Sequence, residues 1–319
     1  TAVARVIQAV RLTLQPGRAE LEITVEANPG EVDAEHLRAL RVAGVNRISL
    51  GSQSFDDGEL KAIGRNHDAS AIAPAVAAVR RAGYSNLTCD LMFGLPGQTA
   101  DSWRRSVEAL VALAPEHISA YALTIERGTP FGALDRAGKL ARPDDDTVAE
   151  LFRWGRGALA AAGYEPYEVS SYARPGFRAV HNQLYWTQGA YLGLGASAAS
   201  FRPLADGTAW RFSNPRGTDS YLRACARPGG PWPAKVERRS PADLENEALW
   251  LALRTREGVD RRAHRLRFGH DPLASPERQK EASRCVRSGW LAVSPQNLRL
   301  TDDGFLFADE VAARLWNGA

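Results

Sequence analysis

Two kinds of apolar spacing take turns along the first half of the chain. Leu21–Glu26 (LEITVE) reads as a buried strand that Pro29 and Gly30 terminate. Asp33 then caps a helix running to Gly44, with Leu37, Leu40 and Val42 among its apolar positions. Further strands are predicted at Arg47–Leu50, Leu87–Phe93 and His117–Ile125, and a strand-like stretch at Glu165–Tyr172. Helical patterns lie between them, near 56–63, 70–82, 99–113 and 144–162; the third carries Trp103, Val107, Leu110 and Val111 at helical spacing. Strands alternating with helices imply a parallel sheet or barrel with helices outside. In such folds the working residues sit at the C-terminal ends of the strands.

From about residue 174 the pattern changes. HNQLYW (181–186) and YLGLGASAAS (191–200) precede a Pro/Gly-rich stretch, RPGGPWP (227–233), that reads as a linker. Helices follow at 241–254 and 274–288, then a short hairpin within 290–301 and a last helix at 302–316. Helices followed by a two-stranded wing predict a small winged-helix-like domain.

Composition narrows the class. Hydrophobic residues are 44% and charged residues 24% of 319, values of a folded globular chain. No apolar run approaches the ~18 residues of a membrane span, and there is no basic-then-apolar leader; a cytoplasmic protein is expected. Three cysteines exclude a disulfide scaffold and fit a reducing compartment. They are Cys89, Cys225 and Cys285, too far apart for iron–sulfur or zinc spacing. The chain begins at Thr1 and its only methionine is Met92, so a processed or incomplete front is expected.

Several polar residues stand where strands end. Glu26 closes the first strand, Gln53 follows the second, Asp90 lies inside the apolar third and Thr124 near the end of the fourth. A carboxylate in a buried strand is costly unless paired or liganded. A purely structural network of Asp90, Arg65 and Glu26 accounts for them as well as a ligand does. GLPGQT (94–99) lacks the lysine of a phosphate-binding loop. His181, beside Asn182 and followed by Tyr185 and Trp186, reads either as a packed or surface histidine or as an iron ligand with aromatics for a flat macrocycle. Six arginines cluster at 254–267, but residues 231–319 carry a net charge of only +2, so a salt-bridged face is expected rather than nucleic-acid binding.

The motifs EITVEANPGEV, AGVNRISLGSQSF, LKAIGRNH, CDLMFGLPGQT, HISAYALTIERGTPF, YEVSSYARPG, HNQLYW and YLGLGASAAS occur in this order. Together they resemble the oxygen-independent coproporphyrinogen III oxidase-like radical S-adenosylmethionine (radical SAM) proteins, and most of all their heme-chaperone branch. The resemblance extends through LRLTDDGFLFADEVAARL (298–315). It implies an α/β fold: an incomplete (β/α)6 partial barrel with four of six strands present, over 1–175. A connecting region at 176–232 and a C-terminal helical, winged-helix-like domain at 233–319 would follow. It implies that Glu26, Gln53, Arg65, Asp90, Thr124 and Ala199 contact S-adenosylmethionine. His181, Asn182, Tyr185 and Trp186 would contact heme, with His181 the candidate iron ligand. Heme-acceptor proteins, among them membrane respiratory enzymes, and a second copy of the chain are the implied partners. The alternative is oxidative decarboxylation in porphyrin biosynthesis by a full-length parent. The resemblance also implies a [4Fe–4S] cluster on CxxxCxxC, which these 319 residues do not contain. A front segment with two further strands is therefore expected to be missing, leaving the 21–26 strand as a long apolar edge.

Overall fold

The computed structural model describes residues 2–14, 21–230 and 233–316. Two residues of the expected linker, 231 and 232, lie outside that range. The chain forms two compact units, Thr1–Ala179 and Val180–Ala319.

The first unit begins with α1 (Ala2–Leu14), β1 (Thr24–Ala27), α2 (Ala34–Val42), β2 (Arg47–Gln53), α3 (Asp57–Ala62) and α4 (Ile72–Arg81). It continues with β3 (Leu87–Phe93), α5 (Ala100–Ala112), β4 (His117–Ala122), α6 (Pro130–Arg136), α7 (Asp145–Ala161), β5 (Glu165–Pro166) and β6 (Ser171–Ala173). These strands make one six-stranded sheet in the order β1-β2-β3-β4-β6-β5. The expected four strands are thus too few. The four parallel strands are β1 to β4; β6 pairs antiparallel with β4, and β5 antiparallel with β6. The stretch at 165–173 turns back on itself in strands of two and three residues around Pro166. That is too short for alternation to separate two strands from one. The edge strand β1 is also short, four residues of alternating exposure, rather than a long apolar edge.

Period-two alternation divides this sheet into two unlike faces. Ile48, Leu50, Leu87, Cys89, Leu91, Phe93, Ile118 and Tyr172 are buried on the outer, apolar face. Trp103 of α5 and Phe152 of α7 meet Phe93 there, at ring distances of 5.6 and 6.1 Å, and the Trp103 indole donates to the Leu151 carbonyl at 3.0 Å. The inner face carries Glu26, Arg47, Ser49, Thr88, Asp90, His117, Ser119, Tyr121 and Ser171. Its lower end is closed by Arg47, which donates to Thr88 Oγ1 and to the Phe177 carbonyl. His117 Nε2 lies 2.8 Å from Tyr167 Oη.

The loops after β2 and β3 are tied by one buried carboxylate. Glu59 accepts from Ser54 and Ser102 hydroxyls and from Gln98 Nε2. Gln98 Oε1 in turn accepts the Gly94 N–H at 2.7 Å, and Thr99 with Ser102 forms a capping box on α5.

The second unit comprises α8 (Val180–Trp186), β7 (Ala199–Pro203), β8 (Ala209–Ser213), α9 (Thr218–Cys225), β9 (Lys235–Arg239) and α10 (Pro241–Leu253). Then come β10 (Val259–Asp260), α11 (Arg261–Phe268), α12 (Pro276–Arg287), β11 (Leu291–Val293), β12 (Asn297–Leu300) and α13 (Ala308–Arg314). The predicted hairpin is β11–β12, and β10 extends it to three strands. A separate antiparallel sheet, β7-β8-β9, was not expected. Its outer strand is KVERR, which carries no apolar alternation to announce it. Half of the arginine cluster is ion-paired: Arg261 and Arg265 both engage Asp271, and Arg254 engages Asp309.

Candidate functional site

Two arrangements of polar and aromatic side chains stand out, one in each unit. The first lies on the inner face at the C-terminal ends of β1 to β4. A β-bulge at the end of β2 puts Gln53 into a left-handed backbone conformation with φ of 64°, and the side chain is buried. Non-glycine residues seldom adopt that conformation, so the surrounding structure must hold it. Tyr121 Oη donates to Gln53 Oε1 at 3.1 Å, and Arg65 Nη1 donates to Asn28 Oδ1 at 3.1 Å. Gly51 lies beneath them. A Cβ there would come within 2.9 Å of Gln53 Nε2, 3.6 Å of Asn28 Oδ1 and 3.8 Å of Arg65 Nη1. The missing side chain leaves a cradle that polar groups surround.

Asp90 completes this site from β3. Burial pushes its carboxyl up to about 6 and nearby Glu26 pushes the same way, while the Ser119 hydroxyl, Arg65 and Arg47 pull it down. Glu26, Gln53, Arg65 and Asp90 are therefore brought together as one polar group. Thr124 follows β4 by two residues and is exposed at the same end of the sheet. Ala199 is the first residue of β7 and belongs to the second unit. A cavity of about 140 Å³ beside Arg65 is lined by Asn28, Glu31, Asn66 and His67.

The second arrangement starts on α8. His181 is exposed, and its ring meets Tyr185 edge-on at 4.8 Å. Tyr185 meets Tyr191 at 4.8 Å, and Tyr191 stacks on Phe201 at 6.1 Å. The Arg211 guanidinium lies 5.6 Å from the Phe201 ring. The ladder thus runs from a solvent-facing imidazole into the buried cluster of Phe201, Ala209 and Leu244. Val180, Leu184, Leu192 and Leu194 are exposed along the same helix and the loop that follows, the last two at 59% and 60%. A concentration of exposed apolar side chains marks a binding surface more often than an isolated one does. Asn182 is partly buried, and the Trp186 indole N–H is buried without an acceptor. The glycine-rich loop has a local reason for its composition. A Cβ on Gly193 would lie 2.2 Å from the Ala199 carbonyl oxygen, and Asn214 Nδ2 donates to the Gly193 and Gly195 carbonyls.

Asn28, Gly51, Tyr121 and Tyr191 escaped the sequence reading. Tyr121 had a usable signal: it follows Ser119 at period two on β4 and so shares the face of Asp90. The cysteines do not fit an iron–sulfur cluster. Cys89 and Cys285 are buried, burial pushes both thiols up, and Cys225 lies on α9. No cluster of three metal-ligating side chains exists among the described residues.

Residues 2–110 match the family model of the radical SAM superfamily, and 240–307 match that of the HemN C-terminal domain. The chain is 39% identical to the heme chaperone HemW of Synechocystis over 75% of its own length and 57% of that protein's. It is 34% identical to HemW of Haemophilus influenzae over 91% of the chain and 73% of the relative. It is also 34% identical to a mouse protein, mitochondrial radical S-adenosyl methionine domain-containing protein 1, over 93% of the chain and 68% of the relative. The chain therefore spans little more than half of the Synechocystis protein and about seven-tenths of the other two. Among solved structures, coproporphyrinogen III oxidase HemN of Escherichia coli superposes with a TM-score of 0.82 over 99% of this chain and 74% of its own. At 21% identity that likeness concerns the fold.

Proposed function

The chain belongs to the HemW-type branch of the HemN-like radical SAM proteins, and on that footing we propose that it binds heme at α8 and hands it to heme-requiring proteins. The observation that carries this reading is the exposed His181 ring, held edge-on by Tyr185 within a surface of exposed apolar side chains. An imidazole nitrogen is a common iron ligand of heme, and flat apolar and aromatic surface suits one face of the macrocycle. Exposure favours release, because a carrier must hold its cargo without enclosing it. Asn182, Tyr185 and Trp186 shape this surface, and His181 supplies the contact to iron. Acceptors of the respiratory-enzyme type, a cytoplasmic location and association of two copies belong to the same reading. No described helix is long and apolar enough to cross a membrane.

S-adenosylmethionine fits the strand-end cradle of the first unit. Glu26 and Asp90 would accept hydrogen bonds from its ammonium or ribose hydroxyls, and Arg65 would pair with its carboxylate. Gln53 would add a side-chain hydrogen bond, and Thr124 a backbone contact. The bound group supplies an activated sulfonium there. The residues present do not fit a [4Fe–4S] cluster, since no three thiolates converge among those described.

The test is a heme titration followed by absorbance, on the wild type and on His181→Ala, with circular dichroism to confirm folding. Saturable binding that the substitution weakens at least about tenfold, on the order of 1.4 kcal/mol, is expected. Undiminished binding by His181→Ala would remove His181 from the site. No binding by folded wild type would remove the heme reading for this chain.

A further inference from the structure

We propose that the exposed face of α12 is a binding surface for double-stranded DNA, with Lys280 and Arg287 on phosphates at either side of the major groove. The helix is held firmly from behind. Arg278, Ala282 and Cys285 are buried along its inner face. The Arg278 guanidinium donates to Asn246 Oδ1 at 2.7 Å and to the Leu315 carbonyl at 2.9 Å, and it also engages Glu245. These bonds tie α12 to α10 and to the end of α13. The helix follows α11 through a turn that opens at Gly269, with φ of 84°. Asp271 in that turn draws in both Arg261 and Arg265. Those two members of the 254–267 arginine cluster therefore brace the turn, and the cluster is not where a polyanion would be met.

The outer face of α12 has a different composition. Lys280, Ser283, Arg284 and Arg287 are all exposed. At about 3.6 residues per turn they share one arc of the helix, with Lys280, Ser283 and Arg287 along its crest. Arg284 is held by Glu281, which also engages Arg314, and Glu277 stands at the N-terminal edge. Lys280 and Arg287 have no carboxylate partner among the described residues. The small net charge of residues 231–319 conceals this, because many of its carboxylates are engaged elsewhere: Glu245 by Arg278, Asp271 by Arg261 and Arg265, and Asp309 by Arg254. Lys280 and Arg287 are seven residues apart, about 10 Å along the axis. The major groove of B-form DNA is about 12 Å wide and admits one α-helix. Two cations at that separation reach phosphates on both sides of the groove, and the Ser283 hydroxyl between them faces the base edges. A-form RNA has a deep, narrow major groove that side chains cannot read, so the surface selects DNA.

The test is fluorescence anisotropy of a labelled DNA duplex of about 20 base pairs and mixed sequence, titrated with the full chain. The double variant Lys280→Gln/Arg287→Gln is compared with Arg202→Gln/Arg223→Gln, which removes the same charge from exposed positions on β7 and α9. Each is checked for unchanged thermal unfolding. The wild type is expected to bind at about 50 mM salt and to lose about tenfold in affinity by about 200 mM, as two phosphate contacts imply. The α12 variant is expected to bind about tenfold more weakly at the lower salt, and its salt slope to shrink by about 2. The β7/α9 variant is expected to stay within about twofold of wild type. Equal weakening by both variants would reduce the effect to net charge and overturn the proposal, as would absence of binding by the folded wild type. An RNA duplex or poly-glutamate bound as tightly as DNA would overturn it too, the latter assigning the face to an acidic protein partner. Heme and S-adenosylmethionine take no part in the assay, so its failure leaves the proposed function standing.

Discussion

Asp90 and His181 are both polar residues set among apolar neighbours, yet their surroundings differ in kind. Asp90 sits in the central part of a six-stranded sheet, and burial holds its carboxyl at about 6. His181 is exposed on a seven-residue helix, and Tyr185 meets its ring edge-on. Around Asp90 the chain also keeps Gln53 in a left-handed conformation and leaves a glycine where a side chain would crowd the cradle. Features that lower stability persist where function needs them. The α8 surface is set apart instead by the exposure of its apolar and aromatic side chains. One region is therefore tested by relieving it, the other by removing side chains that the fold does not need.

The largest effect is expected from Asp90→Asn. The folded pKa of Asp90 is raised above the ordinary 3.8, so the carboxylate costs stability at every pH above about 6. That cost lifts as pH falls from about 6 towards 4, where the folded protein takes up the proton first. The neutral amide is expected to stabilise the protein by about 2–3 kcal/mol at pH 8, with the gain shrinking below pH 6. Urea unfolding at pH 8, 6 and 4 measures it; a loss of stability at pH 8 would mean that the Asp90 charge supports the fold.

His117 works with the opposite sign. Burial, and then Arg47, hold its pKa well below 6.5, so the unfolded chain takes up a proton that the folded one refuses. Stability should fall as pH drops below about 6.5, at about 1.4 kcal/mol per pH unit. In the Asp90→Asn background, which removes the opposing titration, His117→Gln is expected to flatten that slope. An unchanged slope would place the proton elsewhere. The smallest effect on stability is expected on α8. Tyr185→Ala should cost about 1 kcal/mol of stability, the worth of its edge-on contact with Tyr191, while weakening heme binding severalfold in the same absorbance titration. A loss of several kcal/mol would show that the aromatic ladder supports the fold rather than presents a ligand surface.

Legibility in the sequence followed these same contrasts. Asp90 was visible because a carboxylate interrupts CDLMF, and Glu26 and Gln53 because they stand at strand ends. His181 was visible through its aromatic neighbours. The parallel strands could be read because their outer faces are apolar, whereas β5 and β6 are too short to carry a period. The sheet built from β7, β8 and β9 was hidden because its outer strand is nearly all charged. Tyr121 was overlooked because tyrosine is ordinary in strands; only the structure places its hydroxyl against Gln53. Gly193 shows the converse, since its neighbour is its own chain, a contact that only tertiary packing reveals.

The Glu59 network bears on how the strand-end loops open in time. The Gly94 amide is bonded to Gln98, and the Phe55 amide to Ser106, while Glu59 ties α3 to the start of α5. None of these bonds can be released alone without stranding a buried partner. In hydrogen–deuterium exchange these amides should therefore behave as one cooperative block, exchanging only when the whole first unit opens. The rim of the cradle would then be a fixed frame that admits its ligand without rearranging.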